Sequence, residues 1–357
     1  MKRLALLALF GLTALVLSAC GTPTNVSWPG LAADAENAYL ANGSLVYGVR
    51  LSDGFMLWQY PEKPAGQIFH SDPVLTLDGQ LLLGSAGTDN GIVSLDPATG
   101  RENWAAPIVA NNHWIASPLV VGETIFAANN NGSLYAAELA TGHILWSLPV
   151  NSSLWSAPTS NGKLIFVASL DHSLYAIDPA TRSIAWEAAL GGSAPGSATV
   201  SSDGNTVYVG SFDKKVFAID AASGAVQWTT EVQDWIWGAP VQDGDTLYAA
   251  DISGRIYSLG MPHGKNAWPE VQPDGPITGS PVILPDGVLV GTESGSVYAF
   301  DRTGAKLWDV SIGGQIFTTP VTSGDVILIA PMNSKDKVLL RGVSQDGRLI
   351  PWEFTGK

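Results

Sequence analysis

Between residues 116 and 148 short β-branched and aromatic runs alternate with turn residues. Ser117-Pro118-Leu119-Val120-Val121 reads as a strand and Gly122-Glu123 turns it. Thr124-Ile125-Phe126-Ala127-Ala128 is a second strand. Asn131-Gly132 is a hairpin turn, because both positions tolerate positive φ. Ser133-Leu134-Tyr135-Ala136-Ala137 follows as a third strand. Thr141-Gly142 turns again, and Ile144-Leu145-Trp146-Ser147-Leu148 is the fourth. Four antiparallel strands in about forty residues predict one propeller blade.

The unit recurs down the chain. Trp58, Trp104, Trp146, Trp186, Trp228, Trp268, Trp308 and Trp352 follow one another at steps of 46, 42, 40, 42, 40, 40 and 44 residues. Such a period marks a repeat architecture. Glycine stands four residues before the tryptophan in six copies; Arg182 and Arg348 break the rule, the latter beside Gly347. The third strand carries an aromatic and then a small residue, as in Tyr47-Gly48, Tyr175-Ala176 and Phe217-Ala218. Proline opens the first strand in seven copies, at Pro29, Pro73, Pro118, Pro158, Pro240, Pro281 and Pro320, with Thr199 in its place in the fifth. A residue without an N–H donor suits the free inner edge of a blade. The prediction is an all-β fold, an eight-bladed β-propeller over 27–357, with blades at 27–60, 68–107, 113–149, 154–190, 195–231, 236–271, 277–311 and 316–354. The eight tryptophans are expected to be docking residues between blades, each worth ~3–5 kcal/mol.

The run from Tyr135 to Trp146, with Glu138 and Thr141-Gly142, resembles the tryptophan-docking repeat of the pyrroloquinoline-quinone-type propellers. The resemblance covers about residues 27–354. One branch of that group binds pyrroloquinoline quinone and calcium and oxidises its substrates. Those enzymes often use a vicinal disulfide, which a chain with one cysteine cannot form. His143, His172 and His263 fall in hairpin turns, and no nucleophile elbow or phosphate loop stands out. No catalytic residue, metal site or quinone cofactor is therefore expected.

The N-terminus changes the picture. Lys2 and Arg3 precede an apolar run from Leu4 to Leu17, and Leu17-Ser18-Ala19-Cys20 follows. This reads as a signal peptide over 1–19. The tetrapeptide resembles the lipobox of bacterial lipoproteins, which implies lipidation of Cys20 and a short linker over 20–26. Gly21 resembles the outer-membrane sorting pattern of diderm bacteria; in a monoderm the anchor would sit on the outer face of the cytoplasmic membrane. A lipobox followed by this propeller resembles the BamB lipoprotein family of outer-membrane β-barrel assembly. That resemblance implies a non-catalytic scaffold for a membrane-embedded protein partner, monomeric outside its complex. Without Lys2 and Arg3 the chain keeps 16 basic against 32 acidic residues, a formal charge of about −16, which argues against nucleic acid.

Blade geometry sorts the turns onto two faces. The first-to-second and third-to-fourth turns carry many acids, among them Asp34, Asp96, Asp178, Asp220, Asp301 and Asp346. Aspartate is a good turn residue, and the same charge repels an anionic membrane. The other face is aromatic. Four residues before the inner-strand proline stand Phe69, Trp114, Leu154, Ile236, Ile277 and Ile316, expected to be core. Three before it stand His70, Trp155, Trp237 and Phe317, with Trp28 and Trp235 nearby. Adjacent strand positions point to opposite sides, so this second set is expected to face the channel mouth. It is either a binding funnel for an extended peptide or flat ligand, or a plug. Rival functions are a quinone-dependent oxidoreductase and a surface carbohydrate-binding module.

Overall fold

A computed structural model describes residues 28–269 and 271–356. The expected signal peptide, Cys20 and linker lie outside the described residues. Every described element is a β-strand, and the strands form eight four-stranded antiparallel sheets. These are the blades of an eight-bladed propeller. Blade 1 runs Gly30–Ala33, Asn37–Asn42, Leu45–Arg50 and Met56–Tyr60, paired in chain order. Six further blades repeat that order. In blade 2 the inner strand is split into Gln67–Phe69 and Val74–Leu75, both on the edge of Leu81–Gly87. Its outer strand is reduced to the bridges Ile92↔Ile108 and Leu95↔Glu102, which flank Trp104.

One row of side chains across each sheet explains the repeat. In blade 1 Tyr39 pairs with Gly48, and Gly48 with Trp58. Phe126–Ala136–Trp146, Phe166–Ala176–Trp186 and Tyr208–Ala218–Trp228 are the same row in blades 3, 4 and 5. The small middle residue leaves a gap, and the indole leans across it onto the second-strand aromatic, with ring centroids 5.7 to 6.1 Å apart. A Cβ on Gly48 would lie 2.4 Å from the Trp58 ring. The small residue therefore serves the tryptophan of its own blade.

The other side of the indole serves the next blade. Trp58 lies on Gly100, Trp104 on Gly142, Trp186 on Gly224, Trp228 on Gly264, Trp268 on Gly304 and Trp308 on Gly347. Five of the indole N–H groups also donate to a carbonyl of that turn, for example Trp58 to Pro97 at 2.9 Å and Trp308 to Gln345 at 2.8 Å. Arg182 takes the glycine's place in blade 4 and adopts the same left-handed turn, at φ 56°.

The ring closes by the same contact. Trp352 of blade 8 lies on Gly54 of blade 1. Leu31, Leu40, Val49, Leu328, Leu340 and Phe354 share one core cluster across this seam, and the Ser323 hydroxyl donates to the Asp34 carbonyl at 2.6 Å. Among the described residues, no strand is shared between the two blades.

Candidate functional site

The segments that lead into the inner strands alternate buried and half-buried residues. Trp114, Ala116 and Pro118 are buried, while Ile115 and Ser117 between them are half-buried; Leu154, Ser156 and Pro158 repeat the pattern around Trp155 and Ala157. The positions four before the proline fill the core: Phe69, Trp114, Leu154, Ile236, Ile277 and Ile316 are buried. The intervening residues of all eight blades converge on one cavity of about 380 Å³ at the axis of the ring. That volume lies within the range of ligand pockets.

The cavity brings together Trp28, His70, Trp155, Trp237 and Phe317. Trp28 of blade 1 reaches across the mouth and meets Trp237 of blade 6 edge-on, with centroids 5.9 Å apart. The Trp155 indole N–H donates to the Asn130 side chain at 2.9 Å, which fixes the ring. Trp235, the sixth residue expected at the funnel, is not among the residues that line the cavity itself. It stacks on Phe212 at 4.8 Å, and Phe212 in turn lies 5.4 Å from Trp237. The two extra rings thus lengthen the aromatic surface from the cavity outward over blades 5 and 6. Trp235 is 43% exposed.

Three features of the site escape a reading of the chain alone. The first is Phe212, an aromatic in a hairpin turn whose contacts exist only in the folded ring. The second is a ring of small polar groups that ties successive blades together at the axis. The Ala157 N–H donates to Ser197 Oγ at 3.0 Å, Ala239 N–H to Ser280 Oγ at 2.9 Å, and Ser280 N–H to Thr319 Oγ1 at 2.9 Å. The third is acidity. Asp72 lines the cavity and accepts the Leu31 N–H at 3.0 Å. Its side chain is exposed within the channel, and desolvation by the protein that surrounds it pushes the carboxyl up to about 6 against the pull of the Leu31 N–H. Burial also raises Glu293 and lowers His70, the latter helped by His113. Asp72 occupies the position just before Pro73, two residues beyond His70. The shared parity of those positions was the available signal.

On the opposite face, aspartates hold their own turns. Asp96 accepts N–H groups of Ala98 and Thr99, and Asp178 those of Ala180 and Thr181. Such bonds favour the charged form, and they lower Asp178; Asp301 is lowered by the Thr303 hydroxyl and by turn N–H groups.

A quinone cofactor fits the cavity poorly. Pyrroloquinoline quinone is a polycarboxylate, and the lining offers Asp72 and Glu293 but no lysine or arginine. Among the described residues, no three His, Cys, Asp or Glu side chains stand where one metal ion could take them.

Residues 88–232 and 171–354 match the model of the family described as outer membrane protein assembly factor BamB. A curated protein of that name from Nitrosomonas eutropha is 31% identical over 116 residues, 32% of this chain and 27% of its own length. One from Xanthomonas campestris pv. campestris is 31% identical over 94 residues, 26% of this chain and 22% of its own. The matches thus span about a quarter of those relatives. Among solved structures, BamB from Moraxella catarrhalis is similar with a TM-score of 0.70 at 17% identity, covering 89% of this chain and 93% of that one. The computationally designed Ika8 protein reaches 0.72 at 14% identity, covering 92% and 96%. At such identities the likeness is one of fold.

Proposed function

The chain belongs to the family described as outer membrane protein assembly factor BamB, and from that premise we propose a non-catalytic scaffold that holds a protein partner at the aromatic mouth of its channel. A lipid on Cys20 anchors it outside the cytoplasm. In a diderm cell it stands on the periplasmic side of the outer membrane; in a monoderm it stands on the outer face of the cytoplasmic membrane. Its partner is embedded in that membrane, and neither nucleic acid nor a redox cofactor takes part in its work. Seven residues from Cys20 span at most ~24 Å, which keeps the mouth near the bilayer. The acidic face then points away from anionic lipid.

The observation that carries this reading is the gathering of Trp28, Trp155, Trp237 and Phe317 around one cavity, with Trp235 and Phe212 continuing outward. Rigid aromatics around a concavity are the usual anchors of protein recognition. The test is the double substitution Trp155→Ala with Trp237→Ala, followed by crosslinked pull-down from membranes. Anchors of this kind contribute about 2 kcal/mol or more each, so capture should fall by over tenfold. A folded double variant that keeps every partner overturns the reading. Dye-linked oxidation after adding pyrroloquinoline quinone and calcium would overturn its non-catalytic part.

A further inference from the structure

We propose that the channel mouth takes a cationic side chain, the guanidinium or ammonium of an arginine or lysine on the partner polypeptide, with Asp72 as its counter-ion. This inference rests on the funnel reading above and names the chemistry of what enters.

The argument begins with what the fold itself needs. The residues just before the inner-strand prolines include Trp28, Asp72, Ser117, Ala157, Ser280 and Thr319, and Asp72 alone among them is ionisable. Where this ring ties one blade to the next, neutral hydroxyls suffice, as Ser280 and Thr319 do for Ala239 and Ser280. Asp72 performs the same tie to Leu31 with one oxygen. Its negative charge is surplus to that task. Among the described residues, no hydrogen bond reaches its second oxygen and no base pairs with it.

The surroundings select the sign of the missing partner. The lining holds Asp72 and Glu293 and no lysine or arginine, so an anion is repelled. A purely apolar group would strip water from Asp72 and return nothing. A cation meets the carboxylate and the aromatic side chains of Trp28, Trp155, Trp237 and Phe317, which line the same cavity. Cations are attracted to aromatic faces, most strongly where water is excluded. The Trp155 N–H is already committed to Asn130, so that ring offers its π-face rather than its donor.

The probe is a Gly-Ser decapeptide with one central arginine, compared with the same peptide bearing neutral citrulline. Both are titrated by calorimetry into the full-length lipoprotein in neutral detergent at pH 8 and low salt. The arginine peptide should bind about tenfold or more tighter. Asp72→Asn keeps an oxygen for the Leu31 N–H and should fold, which a thermal melt checks; in it the preference for arginine should vanish. Asp346→Asn, on the opposite face, should leave the preference intact. Equal binding of the two peptides to wild type, or a preference that survives Asp72→Asn, overturns the inference. Equal binding together with partner capture lost in the Trp155→Ala, Trp237→Ala variant overturns the cation alone and leaves the funnel standing. Capture retained in that variant overturns both.

Discussion

Asp72 has a folded-state carboxyl pushed up to about 6, above its ordinary value of 3.8. The folded protein therefore holds that proton more tightly than the unfolded chain does. Its ionised carboxylate weakens the fold at pH 7 to 8, and stability is gained as pH falls through about 6 towards 4. Glu293, also raised, acts in the same direction, whereas His70, lowered, loses stability as pH falls below its ordinary range. The comparison that isolates Asp72 is wild type against Asp72→Asn in thermal melts. The variant should be the more stable at pH 8, and the gap should narrow through pH 5 and close towards pH 4; a gap independent of pH would contradict this. At the residue scale the sequence revealed much of the site. His70, Trp155, Trp237 and Phe317 share one offset from proline, and the parity of a strand turns them to one side. Phe212 and the exclusion of Trp235 were not legible, because both depend on how neighbouring blades meet.

At the scale of the blade, the row of aromatic, small residue and tryptophan is what the repeat encodes. At Gly48 the Trp58 ring lies against the space a Cβ would fill, 2.4 Å away. Gly48→Ala should overpack that row and cost about 1–3 kcal/mol, measured by urea unfolding. Trp58→Ala should cost about 3–5 kcal/mol, because it empties both the row and the seat on Gly100. The existence and order of the strands were plain from periodicity and turn residues. The broken inner strand of blade 2 was not. Pairing resumes on either side of residues 70–73, and only the fold shows that this gap carries Asp72 into the channel.

At the scale of the whole ring, seven blade interfaces join consecutive segments and the eighth joins the two ends of the propeller. That seam has the Trp352 seat on Gly54 and the Tyr47–Phe354 contact at 5.2 Å, but among the described residues no chain link crosses it. Hydrogen exchange should therefore report opening there first. Amides of Gly30–Ala33 and Val321–Ser323 should take up deuterium sooner than those of Val241–Asp243 and Val282–Leu284. Uniform protection around the ring would show that packing alone matches a covalent link. The sequence by itself determined the eight blades, their docking residues and which positions turn inward. Each of these follows from local periodicity, and a repeat states it eight times over. Only the tertiary structure decided that Trp28 crosses to Trp237, that Trp235 stands outside the cavity, and that Asp72 and Glu293 share it with four large aromatic side chains. Those facts depend on distances across the ring between residues far apart in the chain, and no local pattern carries them.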